Sequence, residues 1–201
     1  MQFTYKGRIN RTCSESFSDF HKYKPYLEKD FYNKCAYCDL RQDLITTPFE
    51  IDHFVPQAAF KGKRDELETD YNNLVLACKK CNNAKRSKFK GDINSTQVTN
   101  ELFYDPVLVD YNEIFYRNEL GEICSDDDKG ISMILALKLY RPIHAQAWIL
   151  ENAKIAIQML EKKISVEQNV NIVSKLQAAQ DKLKSYCYDL FSIFIANYNI
   201  E

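Results

Sequence analysis

Two stretches decide the fold. The first is Cys35-Ala-Tyr-Cys38, followed by Glu50-Ile-Asp52-His53-Phe-Val-Pro56. The second is Asn72-Asn73-Leu-Val-Leu-Ala-Cys78-Lys-Lys-Cys81-Asn82-Asn83-Ala-Lys85. Each Cys-x-x-Cys pair puts two thiolates on one tight turn. Cys35, Cys38, Cys78 and Cys81 together supply the four sulfurs of a closed, structural zinc site. Such a site leaves no position open to water, so this metal holds the chain together and does no chemistry. The bland alternative is four buried, reduced thiols with no metal. Cys13, Cys124 and Cys187 have no paired spacing and read as ordinary residues.

Between the knuckles, the alternation of Phe49, Ile51 and Phe54 with Glu50, Asp52 and His53 predicts a short strand, ended by Pro56. Residues 57–72 read as a charged loop. Leu74-Val-Leu76 reads as a second strand, and a helix follows with Asn82 in a capping position. Strand, loop, strand and helix pinned by zinc at both ends would bring Asp52, His53 and Asn82 to one concave point. Each has a bland reading: Asp52 a turn residue, His53 a structural hydrogen bonder, Asn73 a turn residue, Asn82 a helix cap. Glu50 lies two residues before Asp52, so both face the same side of the strand; a solvated carboxylate is its plainer reading.

The ordered series Cys-x-x-Cys, Asp-His, Asn, Cys-x-x-Cys-Asn-x-x-Lys resembles the HNH endonuclease family, over roughly residues 35–90. The resemblance implies a ββα-metal finger that hydrolyses DNA phosphodiesters. It implies that His53 is the general base, that Asp52 and Asn82 are ligands of a catalytic Mg²⁺ or Mn²⁺, and that Asn73 orients His53 and braces the loop. A neutral imidazole suits removal of a water proton near pH 7, and oxygen ligands suit a hard divalent ion. Where the family often has His, this chain has Asn82, a neutral oxygen ligand, which leaves the metal preference open. Small HNH proteins of this layout resemble nucleases paired with ATPases in bacterial anti-phage systems of the Septu and retron types. That likeness implies an ATPase partner docked through the C-terminal helices or the acidic 119–128 segment.

Charge places the substrate. The 201-residue chain is 45% hydrophobic with a net charge of −1, which excludes collagen-like and disordered classes but argues, taken whole, against a polyanion partner. The segments differ. Residues 35–90 are net +2, whereas residues 91–130 carry ten acidic and two basic residues, net −8. From Cys78 to Lys90 the chain has Lys79, Lys80, Lys85, Arg86, Lys88 and Lys90 and no acid. A charge run is commonly only a solvated face. On the catalytic helix it reads as a DNA-backbone contact, chiefly through Lys79, Lys80, Lys85, Arg86 and Lys88, with no base-reading motif. The rival from another class is a zinc-ribbon nucleic-acid-binding or partner-binding module without catalysis, in which Asp52 and His53 stand idle.

The rest divides by pattern. Residues 1–34 are basic and aromatic, with helical spacing from about Ser16. Residues 91–130 read as short strands and loops, with Ile114-Phe115-Tyr116 pairing with Glu122-Ile123-Cys124. Residues 131–201 read as helices. Ile131, Ile134, Leu135 and Leu139 form one stripe, broken by Arg141-Pro142. Ile149, Ala153, Ala156, Leu160 and Ile164 form another. Ile172, Leu176, Ala179, Leu183, Tyr186, Leu190 and Ile193 form a coiled-coil-like seam. His144 reads as structural. The expected class is α+β: a small finger, then a mainly helical C-terminal part. No apolar run spans a bilayer and no signal-peptide pattern opens the chain, so the expected compartment is the reducing cytoplasm.

Overall fold

A computed structural model describes residues 1–4, 6–95 and 98–200. The chain forms two compact units, Met1–Arg141 and Pro142–Glu201. None of the described helices is long and apolar enough to cross a membrane.

In the first unit, β1 (Glu50–His53) and β2 (Leu74–Ala77) pair antiparallel, with Glu50 opposite Ala77 and His53 opposite Leu74. β2 is buried along its whole length, as its unbroken apolar run requires. Helix α3 (Lys79–Lys85) follows directly, completing a ββα unit. A short helix α2 (Gln57–Phe60) and a turn at Tyr71–Asn73 lie in the connection, where the sequence suggested only loop. The first knuckle reverses at Asp39, which sits at φ 63°. Its buried carboxylate answers Lys6 at 3.2 Å and Lys34 at 3.1 Å. Ala36 N–H donates to Leu76 O at 2.7 Å, tying this knuckle to β2.

The N-terminal helix begins later than its spacing suggests. A 3₁₀ turn at Phe20–Tyr23 leads into α1 (Lys24–Asp30). Asp19 caps the turn by accepting from His21 N–H at 3.0 Å. Pro25 sits at the start of α1, where its missing N–H costs nothing; in a helix running from Ser16 it would break an internal bond. Leu27 and Phe31 are fully buried.

The expected hairpin forms, displaced toward its turn: β3 (Tyr116–Arg117) pairs with β4 (Ile123–Cys124). Gly121 at φ 79° makes the reversal. Arg117 is buried; its guanidinium donates to Gly121 O at 2.9 Å and Cys38 O at 3.2 Å, joining the hairpin to the first knuckle. Helix α4 (Asp128–Leu137) closes this unit, with Asp127 accepting from Gly130 N–H at 2.7 Å as its cap. It buries Met133, Ile134 and Leu137, while Ile131 and Leu135 of the expected stripe face solvent.

The second unit is a helical hairpin of α5 (Pro142–Val166) and α6 (Val170–Ile200). Pro142 opens α5, where its ring is tolerated. The buried seam of α6 is turned from the expected one. Leu176, Leu183 and Leu190 are half-buried, but their partners along the seam are Gln180, Cys187 and Phe194. Tyr186 and Ile193, expected inside, are each 52% exposed.

Candidate active site

The four cysteines converge. Their sulfurs lie within 4.8 Å of one another, all buried, with Cys38 Sγ 3.8 Å from Cys78 Sγ. A tetrahedron with metal–sulfur bonds of about 2.3 Å has edges of about 3.8 Å, so the cluster fits a tetrahedral ion. Burial, then the neighbouring Cys35 and Cys78 sulfurs, push the Cys38 thiol well up. A cation would relieve that crowding.

Asp52, His53 and Asn82 line one cleft of about 320 Å³, with Phe20, Arg86 and Ser87 also on its walls. β1 supplies the first two and α3 the third. Asn82 does not cap α3. Cys78 occupies that position, and Asn82 lies in the helix body. Its Nδ2 donates to Glu50 Oε2 at 2.7 Å, so its Oδ1 does not face that carboxylate. Glu50 and Asn82 also line an adjoining cleft of about 450 Å³ with Phe20, His21 and Lys24.

His53 is 7% exposed. Its Nε2 lies 2.9 Å from the Glu68 carbonyl, which can only accept, so Nε2 carries the proton and Nδ1 keeps its lone pair. Burial holds the imidazole below its ordinary value, against the opposing pull of the Glu68 carbonyl and Asp52, so the ring is neutral near pH 7. Phe20 meets it edge-on at 4.8 Å and Phe60 lies 5.7 Å away, fixing the ring plane.

Asn73 is buried and clamps the loop. Its Oδ1 accepts from Val55 N–H at 2.8 Å, and its Nδ2 donates to Leu67 O at 2.9 Å and Val55 O at 3.2 Å. Val55 lies just past His53, and Leu67 just before Glu68. The carbonyl of Glu68, rather than Asn73, meets the imidazole; Asn73 acts on the backbone to either side.

Lys85 departs from its expected place on the DNA face. It is fully buried. Its Nζ donates to Asp52 Oδ1 at 3.0 Å and to His53 O at 2.7 Å. It binds β1, not phosphate, because one turn of α3 carries it to the inner face. Tyr37, inside the first knuckle, donates to Asp52 Oδ2 at 2.6 Å. Burial pushes the Asp52 carboxyl up, and Lys85 and Tyr37 draw it back. Of the other expected cations, Lys79, Arg86 and Lys88 are exposed and Lys80 is half-buried; Arg86 alone among them borders the cleft with His53.

Phe20, Tyr37, the Glu68 carbonyl and the inward turn of Lys85 were not apparent as site features in the sequence. Tyr37 carried a usable signal: a hydroxyl inside an otherwise buried knuckle needs a partner. A backbone carbonyl carries none.

Comparison with known proteins agrees with this geometry. The HNH endonuclease family matches residues 35–88. The Septu protein PtuB of Bacillus thuringiensis is 33% identical over 66 residues, covering 31% of this chain and 24% of that protein. The Septu protein PtuB of Bacillus mycoides is 25% identical over 187 residues, covering 83% of this chain and 61% of that protein. The matched regions thus span less than two thirds of either relative. No solved structure matches the chain. The ββα unit with a cysteine knuckle before it and another at the start of its helix, and with its buried Asp-His pair, is an HNH endonuclease domain over residues 35–88.

Proposed function

We propose that the chain is a metal-dependent endonuclease that hydrolyses DNA phosphodiesters with little sequence specificity and serves anti-phage defence in the cytoplasm. The observation that carries this reading is the His53 geometry: Nε2 is tied to the Glu68 carbonyl, so a neutral Nδ1 is left to take the proton of an attacking water. Asp52 and Asn82 would hold a Mg²⁺ or Mn²⁺ ion. They fit, because each Asp52 oxygen keeps a lone pair beyond its one hydrogen bond and Asn82 Oδ1 is turned from Glu50. Such an ion supplies charge neutralisation at the phosphate and leaving oxygens. Arg86 lies where it can meet the same phosphate. Zinc would occupy the four cysteines, whose thiols stay reduced in that compartment. The experiment is nicking of supercoiled plasmid with Mg²⁺ or Mn²⁺, which wild type performs and His53→Ala does not.

The similarity to Septu proteins supports a further step: the nuclease works with an ATPase partner bound through α5 and α6 or the 119–128 segment. Co-expression and co-purification with an ATPase of the Septu type tests it, and recovery of the nuclease alone would count against it.

One observation favours a binding module instead. Both Asp52 oxygens already have partners, as a purely structural carboxylate would. DNA binding with no cleavage under any divalent ion, with the partner present, would select that reading.

A further inference from the structure

A second cleft, of about 330 Å³, lies at the far end of α3 and is bordered by Asn83, Ala84, Arg86, Lys88, Lys138 and Arg141. Four of the six are basic and none is acidic. Two helices end here. Arg86 follows α3 at φ 48°, and Lys138 caps α4 in the left-handed region at φ 56°. Basic residues at helix C-termini often do no more than answer the last carbonyls. Here two of the four already do so: Lys88 Nζ donates to Ala84 O and Ala136 O, each at 2.8 Å, and Arg86 Nε donates to Asn83 O at 3.1 Å, which leaves Lys138 and Arg141 as the groups to test. Two helix ends carry roughly −0.5 each, and the lining sets four basic side chains and no acidic one against them. Arg86 also borders the cleft that holds His53. The two clefts therefore share a wall, and a positive path leads from His53 past Arg86 to Lys138 and Arg141.

We propose that this second cleft is a phosphate subsite, holding a DNA backbone phosphate that flanks the one positioned beside His53, with Lys138 and Arg141 as its principal ligands. This rests on the nuclease reading above. The subsite sets substrate register and reads no base, since only phosphate-seeking groups line it apart from Asn83 and Ala84. Lys138 and Arg141 lie in the helical stretch that the sequence alone separates from the nuclease core; the fold returns them to it.

The test is DNA binding by the full chain in a His53→Ala background, so that binding is read without cutting. A fluorescent duplex of about 16 base pairs is titrated across roughly 50 to 200 mM salt, with and without Lys138→Ala and Arg141→Ala together. The expected result is a Kd raised about tenfold and a log–log salt slope smaller by about one to two, the share of two lost phosphate contacts. Lys162→Ala with Lys163→Ala on α5 controls for net charge and leaves the slope in place. An unchanged slope, or an equal loss in the control pair, overturns the subsite. Plasmid cleavage by the otherwise wild-type chain is run beside it. No cleavage with the slope change intact removes the nuclease reading and leaves a DNA-phosphate cleft. Cleavage with an unchanged slope removes the subsite alone.

Discussion

The finger at residues 35–88 and the hairpin of α5 and α6 are held by different means. In the finger, identity is fixed residue by residue: Asp52 takes Tyr37 and Lys85, Asn73 takes Val55 and Leu67, and four sulfurs meet. Exchange of any of these leaves a buried polar group without its partner. In the hairpin, one apolar side chain does much the same work as the next, and the seam is set by periodicity. Chemistry specifies the first region and pattern the second, so the first withstands a small error in reading and the second does not.

Metal removal separates the regions most strongly. Chelation, or Cys78→Ser, is expected to unfold the finger, because metal binding there is folding free energy on the scale of ~10 kcal/mol. The hairpin contributes none of the four clustered cysteines and should keep its helical circular-dichroism signal while tyrosine near-ultraviolet ellipticity from the finger falls. Loss of both signals together would show the two units to be one cooperative body.

Charge burial gives the next largest effect. Lys85→Met strands the Asp52 carboxylate and should cost about 3–5 kcal/mol, read as a lowered midpoint in urea. Lys79→Ala, on the exposed face of the same helix, should stay within about 0.5 kcal/mol. Equal costs would return Lys85 to the surface role that its sequence suggested.

Within the hairpin the contrast is smaller. Leu183→Ala, on the observed seam, should cost roughly 1–2 kcal/mol, and Tyr186→Ala less than about 0.5. The reverse order would restore the seam read from sequence.

A pH effect follows from His53. Its folded value lies below the ordinary 6.5, so between the two values the unfolded chain binds the extra proton. This contribution to stability is therefore present above pH 6.5 and lost as pH falls through that window. The imidazole stays neutral over the same window, so the rising limb of kcat/KM against pH should lie below 6.5. A limb above it would mean that the ring is not desolvated as described.

Legibility followed the same division. The knuckles, both strands and the Asp-His pair could be read because few other roles suit those residues at those spacings. The helix face of Lys85 could not be read, since a buried and an exposed lysine look alike until the β1 carboxylate is placed opposite. Asn82 looked like a cap because the residues before it belong to a knuckle, yet α3 already begins inside that knuckle at Lys79. The seam of α6 was misplaced because both Ala179/Tyr186/Ile193 and Gln180/Cys187/Phe194 repeat at seven residues. Apolarity favoured the first set and packing took the second.

The central claim is that His53, held by Glu68 and flanked by Asp52 and Asn82, takes the proton of the attacking water. Its most direct measurement is the single-turnover cleavage rate of duplex DNA by wild type and His53→Ala, both zinc-loaded and with Mn²⁺ present. Loss of a general base predicts a rate lower by about 10²–10⁴-fold with Kd for DNA changed less than about threefold. Equal rates for the two proteins would contradict the account.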